Sequence, residues 1–186
     1  MKIINMNSLD EPMRIQAAQM LTDELPLGWP TQKDAMDEVN MLLDNKGDDN
    51  EEQSALFLCA MEAGQVVGWC GILPMYNGNV YELHPLVVRR DQQGKGVGRI
   101  LMAAIEDAAR EKGGITMYLG ADDEEPGGET SLANIDLYDN LPKHIQDFEP
   151  GTHQSAFYLK LGYKVVGVVP DASGKGRPDI MLAKAL

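Results

Sequence analysis

Residues 82–99 read ELHPLVVRRDQQGKGVGR, and their order decides the fold. Glu82-Leu83-His84-Pro85-Leu86-Val87-Val88 is rich in apolar and β-branched residues, which predicts a strand over 79–88. Glu82, His84 and Leu86 occupy alternate positions, so a regular strand projects all three from one face. Pro85 has no N–H, so the hydrogen-bond ladder is interrupted there and a bulge or splay is expected. Beyond Arg89-Arg90-Asp91-Gln92-Gln93 comes Gly94-Lys95-Gly96-Val97-Gly98-Arg99. Three glycines in five residues let the backbone turn tightly and approach a ligand. Ile100, Leu101, Ala104, Ile105 and Ala108 then form one apolar stripe, predicting a helix over 98–112 that Gly113-Gly114 ends. Free N–H groups at that helix start, with the dipole behind them, suit an anion.

Charge sharpens this reading. Four of the 16 basic residues, Arg89, Arg90, Lys95 and Arg99, fall within eleven positions of a chain with 29 acidic residues and a formal net charge of −13. A local reversal of sign around a glycine turn points to phosphates. Two familiar phosphate loops do not fit. Gly98-Arg99-Ile100 lacks the Lys and hydroxyl of a P-loop. Gly94-x-Gly96-x-Gly98 has the wrong spacing for a dinucleotide fingerprint, and the preceding strands read as antiparallel. The acidic surface repels nucleic acid, whose binding needs cations on phosphates, and would attract a polycationic small molecule; net charge alone asks for no more than an acidic protein kept in solution by its charge.

Outward from this segment, strands are expected over 2–6, 55–62, 65–73, 115–120, 163–169 and 179–182. Ala63-Gly64 and Asn77-Gly78 punctuate an antiparallel meander. Ser8 or Asp10 caps a first helix with Pro12 in its first turn, and 31–43 forms a second. Residues 44–52 read as an acidic loop. Residues 121–150 read as a long acidic connection with Pro126-Gly127-Gly128 and a short helical piece near 135–140, and 155–161 as a short helix. The 186 residues fit one domain over 1–186. No apolar run is long enough for a membrane span, and the N-terminal residues do not read as a signal peptide, so a cytoplasmic location is expected. Cys59 and Cys70 are expected as buried free thiols, and no Cys/His cluster has metal-ligand spacing, so no metal is expected.

Gln93-x-x-Gly96-x-Gly98, after a strand ending Pro85-Leu86-Val87-Val88, resembles the pyrophosphate motif of the GNAT superfamily of acetyltransferases. The element order matches: strand, two helices, antiparallel strands, motif helix, strand, helix, strand. Residues 82–88, GGITMYLGADD at 113–123, Asp136-Leu137-Tyr138, FYLKLGYK at 157–164 and the following GVVP and PDI segments resemble aminoglycoside 6'-N-acetyltransferases. Most of the chain from Trp69 onward is covered, and Trp29 resembles that family's Trp between the first two helices.

The resemblance implies an α/β (α+β) acyl-CoA N-acyltransferase fold: a mixed, mostly antiparallel sheet flanked by helices, with a splayed strand at the coenzyme site. It implies acetyl-CoA as co-substrate, held by Leu86, Val87, Val88, Gln93, Gly94, Lys95, Gly96, Val97, Gly98, Arg99 and Tyr158. Glu82 is then the general base or orients the amine, the Leu86 N–H polarises the thioester carbonyl, and Tyr158 protonates the departing thiolate. His84 reads equally as a proton relay or a structural group. Trp29, Glu82, Asp122, Asp123 and Asp136 are the expected substrate contacts, while Glu124 and Glu125 read as a solvated loop. A homodimer is expected from the family. The acceptor most in keeping with the resemblance is the 6'-amine of an aminoglycoside, with antibiotic resistance as its consequence. Polyamines, protein amines and a non-catalytic acetyl-CoA-binding module are the competing readings.

Overall fold

Asp10 accepts the Met13 N–H at 3.0 Å, and Pro12 sits in the first turn, so helix α1 (Glu11–Glu24) begins at Asp10, the second of its two expected caps. The structure, a computed structural model, describes residues 1–44, 55–125 and 128–186. Apart from Asp44, the acidic loop expected over 44–52 lies outside the described residues, as do Pro126 and Gly127. The chain falls into two units, Met1–Met117 with Leu186, and Tyr118–Ala185.

In the first unit, β1 (Lys2–Asn5) precedes α1, and α2 (Gln32–Asp44) follows it. An antiparallel meander then forms from β2 (Leu56–Glu62), β3 (Gln65–Met75) and β4 (Val80–Val88), with β1 paired to β2. Turn chemistry explains the connections. Ala63 and Gly64 both have positive φ, 49° and 78°, as a two-residue hairpin turn that follows strand twist requires. Asn77 and Gly78 do the same before β4. Helix α3 (Val97–Glu111) packs on β3 and β2.

One face of the meander meets α1 and α2. There Trp69, Phe57, Cys59, Val66 and Val87 pack with Ala17, Leu21, Ala35, Val39 and Leu42 in one buried cluster. Each such large side chain contributes about 1.5–3 kcal/mol through burial. Trp69 is wholly buried, and its ring N–H donates to the Ala17 carbonyl at 3.0 Å, so its polar atom is satisfied. The other face meets α3, where Cys70 lies 3.9 Å from the Leu101 carbonyl. Cys59 pairs with Trp69 and Cys70 with Leu58, so the two cysteines point to opposite faces. Both are free and buried.

Strand β5 (Thr116–Asp122) carries the chain from the first unit into the second. The second unit contains α4 (Leu141–Gln146), α5 (Ser155–Lys160) and the antiparallel pair β6 (Lys164–Val169) and β7 (Asp179–Ala185). Helix α4 packs on β6, and α5 on β7. The helical piece expected near 135–140 is instead a turn, and the helix starts after it. The Asn140 side chain caps it, with Pro142 in its first turn. Pro142 opens a helix rather than closing one, because a first-turn N–H has no intrahelical partner to lose.

Candidate active site

Pro85 does what its missing N–H requires. Leu83 pairs with Ile72 and Leu86 with Cys70, so His84 and Pro85 together oppose Gly71 alone. This is a β-bulge, and it corrects the expected alternation. Ile72 and Cys70 share the α3 face, so Leu83 and Leu86 share it too. Glu82, paired with Leu73, and Val87, paired with Trp69, lie on the α1/α2 face. Glu82 and Leu86 therefore face opposite sides. The role expected of Leu86 belongs to its backbone N–H and survives this change. A Cβ on Gly71 would lie 2.1 Å from the Phe57 ring and 2.8 Å from the His84 carbonyl oxygen, so only glycine fits opposite the bulge.

The bulge presents His84 to α2. Its Nε2 lies 3.3 Å from a Glu38 carboxylate oxygen, and because a carboxylate only accepts, Nε2 is the donor. A relay through His84 is thereby restricted to Nδ1. The Trp29 ring meets the His84 ring edge-on with centroids 6.2 Å apart, while Trp29 also packs against the buried cluster. Trp29, Glu38, Glu82 and His84 thus lie on the α1/α2 side of the bulge. Glu38 was not expected. It is on α2, 46 residues from His84, and nothing in its local sequence marks it.

Past Val88 the chain forms the turn expected to bind phosphate. Gly94 and Gly96 have φ of +73° and +87°, and no atom lies within 4 Å of a Cβ built on either, so backbone and open space meet there. Gly96 is the N-cap of α3 and supplies no capping side chain, leaving first-turn N–H groups uncapped. The four cations divide. Arg89 holds Asp91 at 2.6 Å, an arrangement that raises its own pKa and keeps the Asp91 carboxyl below the usual range. Arg90 lies 3.4 Å from Glu24. Among the described residues, Lys95 and Arg99 form no close ion pair; the Lys95 ammonium meets the Gln92 amide oxygen at 3.3 Å and adds to the positive field that lowers the Asp91 carboxyl. Val87 and Val97 turn their side chains into the core, so only their backbone can meet a coenzyme. The Gln93 amide donates to the Val88 carbonyl at 2.9 Å and shapes the turn from within.

Glu24 was also missed by sequence reasoning, although a signal existed. A carboxylate in the last turn of a helix opposes the macrodipole, which favours cations there. It fits a side chain employed outside its own helix.

In the second unit, Tyr158 lies on α5, only 6% exposed, edge-on to Phe157 and Tyr163 at 5.2 and 5.8 Å. Asp122 is half-buried and accepts the Ser173 hydroxyl at 2.8 Å. Asp123 departs from expectation. It is fully buried, and its two oxygens accept the Glu129 N–H at 2.9 and 3.1 Å and the Thr130 N–H at 2.9 Å. It braces the loop and offers no face to a substrate. Asp136 is exposed and lines a cleft of about 500 Å³ with Tyr138, Asp171 and Lys175. Glu124 is pushed above the usual carboxyl range, first by burial and then by the Asp122 carboxylate. His153, absent from the sequence expectations, is buried; its Nε2 donates to the Asp122 carbonyl at 3.0 Å, leaving Nδ1 to accept from Ser155.

Among the described residues, no group of three or more His, Cys, Asp or Glu side chains is placed to hold a metal, and no helix is long and apolar enough to cross a membrane.

Residues 15–138 match the acetyltransferase (GNAT) family. No curated protein sequence is significantly similar to the chain. Among solved structures, an aminoglycoside 6'-N-acetyltransferase complexed with coenzyme A is 31% identical, with a TM-score of 0.86, covering 100% of this chain and 97% of its own. The aminoglycoside 6'-N-acetyltransferase from Enterococcus faecium is 32% identical over the same shares, with a TM-score of 0.85. An aminoglycoside 6'-acetyltransferase type Ii is 27% identical, again over 100% and 97%, with a TM-score of 0.74.

Proposed function

The chain belongs to the GNAT acetyltransferase family, an acetyl-CoA-dependent group, and on that premise we propose that it acetylates a primary amine of a polycationic small molecule, the 6'-amine of an aminoglycoside. The observation that carries the site assignment is the His84-Pro85 bulge, set a few residues before a glycine turn whose Lys95 and Arg99 form no close ion pair among the described residues. The bulge releases backbone groups from the ladder where a thioester would lie, and the turn offers N–H groups and cations to phosphates. Full-length likeness to three aminoglycoside acetyltransferases supports the acceptor, as does the acidic composition. The family match runs across the boundary between the two units, which supports treating 1–186 as one catalytic domain.

In this reading the turn over Gln93–Arg99 holds the coenzyme pyrophosphate through backbone N–H groups, Lys95 and Arg99. The Leu86 N–H donates to the thioester oxygen as it gains charge; such a donor is worth roughly 3–4 kcal/mol of barrier. Amines of this kind are largely protonated near neutral pH, so a proton must leave before attack. Glu82 takes it, directly or through water. The amine nitrogen bonds to the acetyl carbon, the carbon–sulfur bond breaks, Tyr158 gives its proton to the leaving thiolate, and the second proton lost by nitrogen as the amide forms restores the Tyr158 phenol, directly or through water. Trp29 walls the acceptor, and Glu38 holds His84 in place beside it. Asp122 and Asp136 supply negative charge to further ammonium groups, with Asp123 supporting the loop. A two-fold dimer is the commonest assembly for such a chain, and the proposal carries it together with a cytoplasmic location and antibiotic resistance as the consequence of turnover.

Glu82→Gln tests the assignment of the base. The substitution preserves shape and removes the proton acceptor, so kcat should fall by about a hundredfold. A rate unchanged across pH removes Glu82 from that role.

A further inference from the structure

We propose that Glu24, on α1, is a positioning residue for coenzyme binding, one that fixes the backbone of the phosphate turn from outside it. The proposal rests on the reading of Gln93–Arg99 as that turn.

Three contacts converge on this one carboxylate. The Arg90 N–H donates to one oxygen at 2.8 Å. The other oxygen accepts the Gln93 amide at 3.4 Å and lies 3.4 Å from the Arg90 guanidinium. The Glu24 side chain is only 10% exposed, whereas the Arg90 side chain is 79% exposed, so the acid is the enclosed partner and the arginine the solvated one. Through Gln93 the contact extends to the Val88 carbonyl at 2.9 Å, so one helix side chain links both ends of the 89–93 segment. Gly94 and Gly96 lie immediately beyond, with open space where a side chain would stand; glycine's wide choice of φ lets the turn adopt other shapes unless something outside holds it.

Electrostatics argues that such a residue has a purpose. A carboxylate here opposes the dipole of its own helix and adds negative charge beside a turn meant for phosphates. Charge alone predicts tighter coenzyme binding when Glu24 is removed. Positioning predicts the reverse, because a turn that samples other shapes binds only in the fraction of time it is correctly formed. The two effects have opposite signs, so one titration separates them.

Binding of coenzyme A itself is measured by calorimetry, beside steady-state kinetics, for Glu24→Ala, Glu24→Asp and Glu24→Gln. Glu24→Ala should raise Kd, and KM for acetyl-CoA, about tenfold. Its kcat and its KM for the amine should not change. Glu24→Asp keeps the charge but withdraws the acceptor, and should weaken binding similarly even if the alanine variant folds poorly. Glu24→Gln keeps an acceptor oxygen for the Arg90 N–H and should restore most of the affinity. Unchanged or tighter binding by the alanine and aspartate variants overturns the proposal, as does a loss of thermal stability with KM for acetyl-CoA unmoved. Lys95→Ala and Arg99→Ala serve as the reference. If they weaken coenzyme A binding while Glu24 variants do not, the positioning role fails and the turn assignment stands. If they leave binding unchanged, the turn assignment fails and takes the proposal with it.

Discussion

Gly71→Ala should damage both stability and turnover, and the structure says by how much. The added methyl would sit 2.1 Å from two Phe57 ring carbons and 2.8 Å from the His84 carbonyl oxygen. Non-bonded carbons rest about 3.5–4 Å apart, so the ring and the bulge must separate by more than about 1 Å. Overpacking of a buried site costs typically about 1–3 kcal/mol, and this contact belongs at the upper end because one obstacle is backbone. For a chain of this length about 3 kcal/mol lowers Tm by roughly 6–12 °C. The bulge cannot move without moving His84 and the Leu86 N–H, and displacements of about 1 Å at a reacting centre cost on the order of a hundredfold in rate. A double-mutant cycle separates the two contacts. With Phe57→Ala the ring is gone, so adding Gly71→Ala should cost less stability than it does alone. The loss of kcat/KM should persist, because the clash with the His84 carbonyl remains. The assay is denaturant unfolding together with acetyl-transfer kinetics on fully folded protein. If Gly71→Ala leaves Tm within about 2 °C and kcat/KM unchanged, neither the bulge geometry nor its link to turnover stands.

Three further outcomes are expected. Ala63 adopts φ 49° in a fully solvated hairpin turn, a conformation that costs an alanine about 1 kcal/mol, so Ala63→Asn should raise stability by about 0.5–1 kcal/mol in denaturant titrations. Burial pushes the Cys59 thiol up to about 12 and the Cys70 thiol higher still, so roughly one Cys59 in ten thousand is thiolate at about pH 8; native protein should resist an aromatic disulfide reagent that labels both cysteines after unfolding. Glu124 holds its proton to higher pH in the folded state than in the unfolded one, so stability present below the ordinary carboxyl range is lost as pH rises through its raised value. Glu124→Gln should abolish that loss, and unfolding midpoints at about pH 4 and pH 7 that fall as steeply as wild type refute it.

Local chemistry was readable along the chain. Asp10, one of two expected caps, and Asn77-Gly78 as a turn follow from spacing and backbone preference and occur where expected. The stripe on α3 was placed partly wrong: Leu101 and Ile105 are buried, but Met102 and Ala109 complete that face and Ile100 is 44% exposed. Pro85 announced an interrupted ladder. Which side chains the interruption moves could not be read, because that depends on Gly71 opposing two residues rather than one, and pairing register is a property of two strands. The same limit explains Glu38 and Asp123. The partner of Glu38 lies 46 residues away, and the acid that looked ready for substrate in Asp122-Asp123 is consumed by N–H groups at 129 and 130. Charge counting also overstated the turn. Four cations were visible, but two carboxylates, Glu24 and Asp91, neutralise a pair of them, leaving an excess of two. The helical piece expected near 135–140 was misplaced because its start is set by the Asn140 cap, with Pro142 in the first turn of α4.

Acetyl transfer to a polycationic amine is read out by thiol release from acetyl-CoA. The purified chain is assayed with a kanamycin-type aminoglycoside, with an analogue bearing a 6'-hydroxyl, and with spermidine. Turnover is expected with the first and none with the second. Turnover with spermidine alone, or no release with any amine, contradicts that expectation.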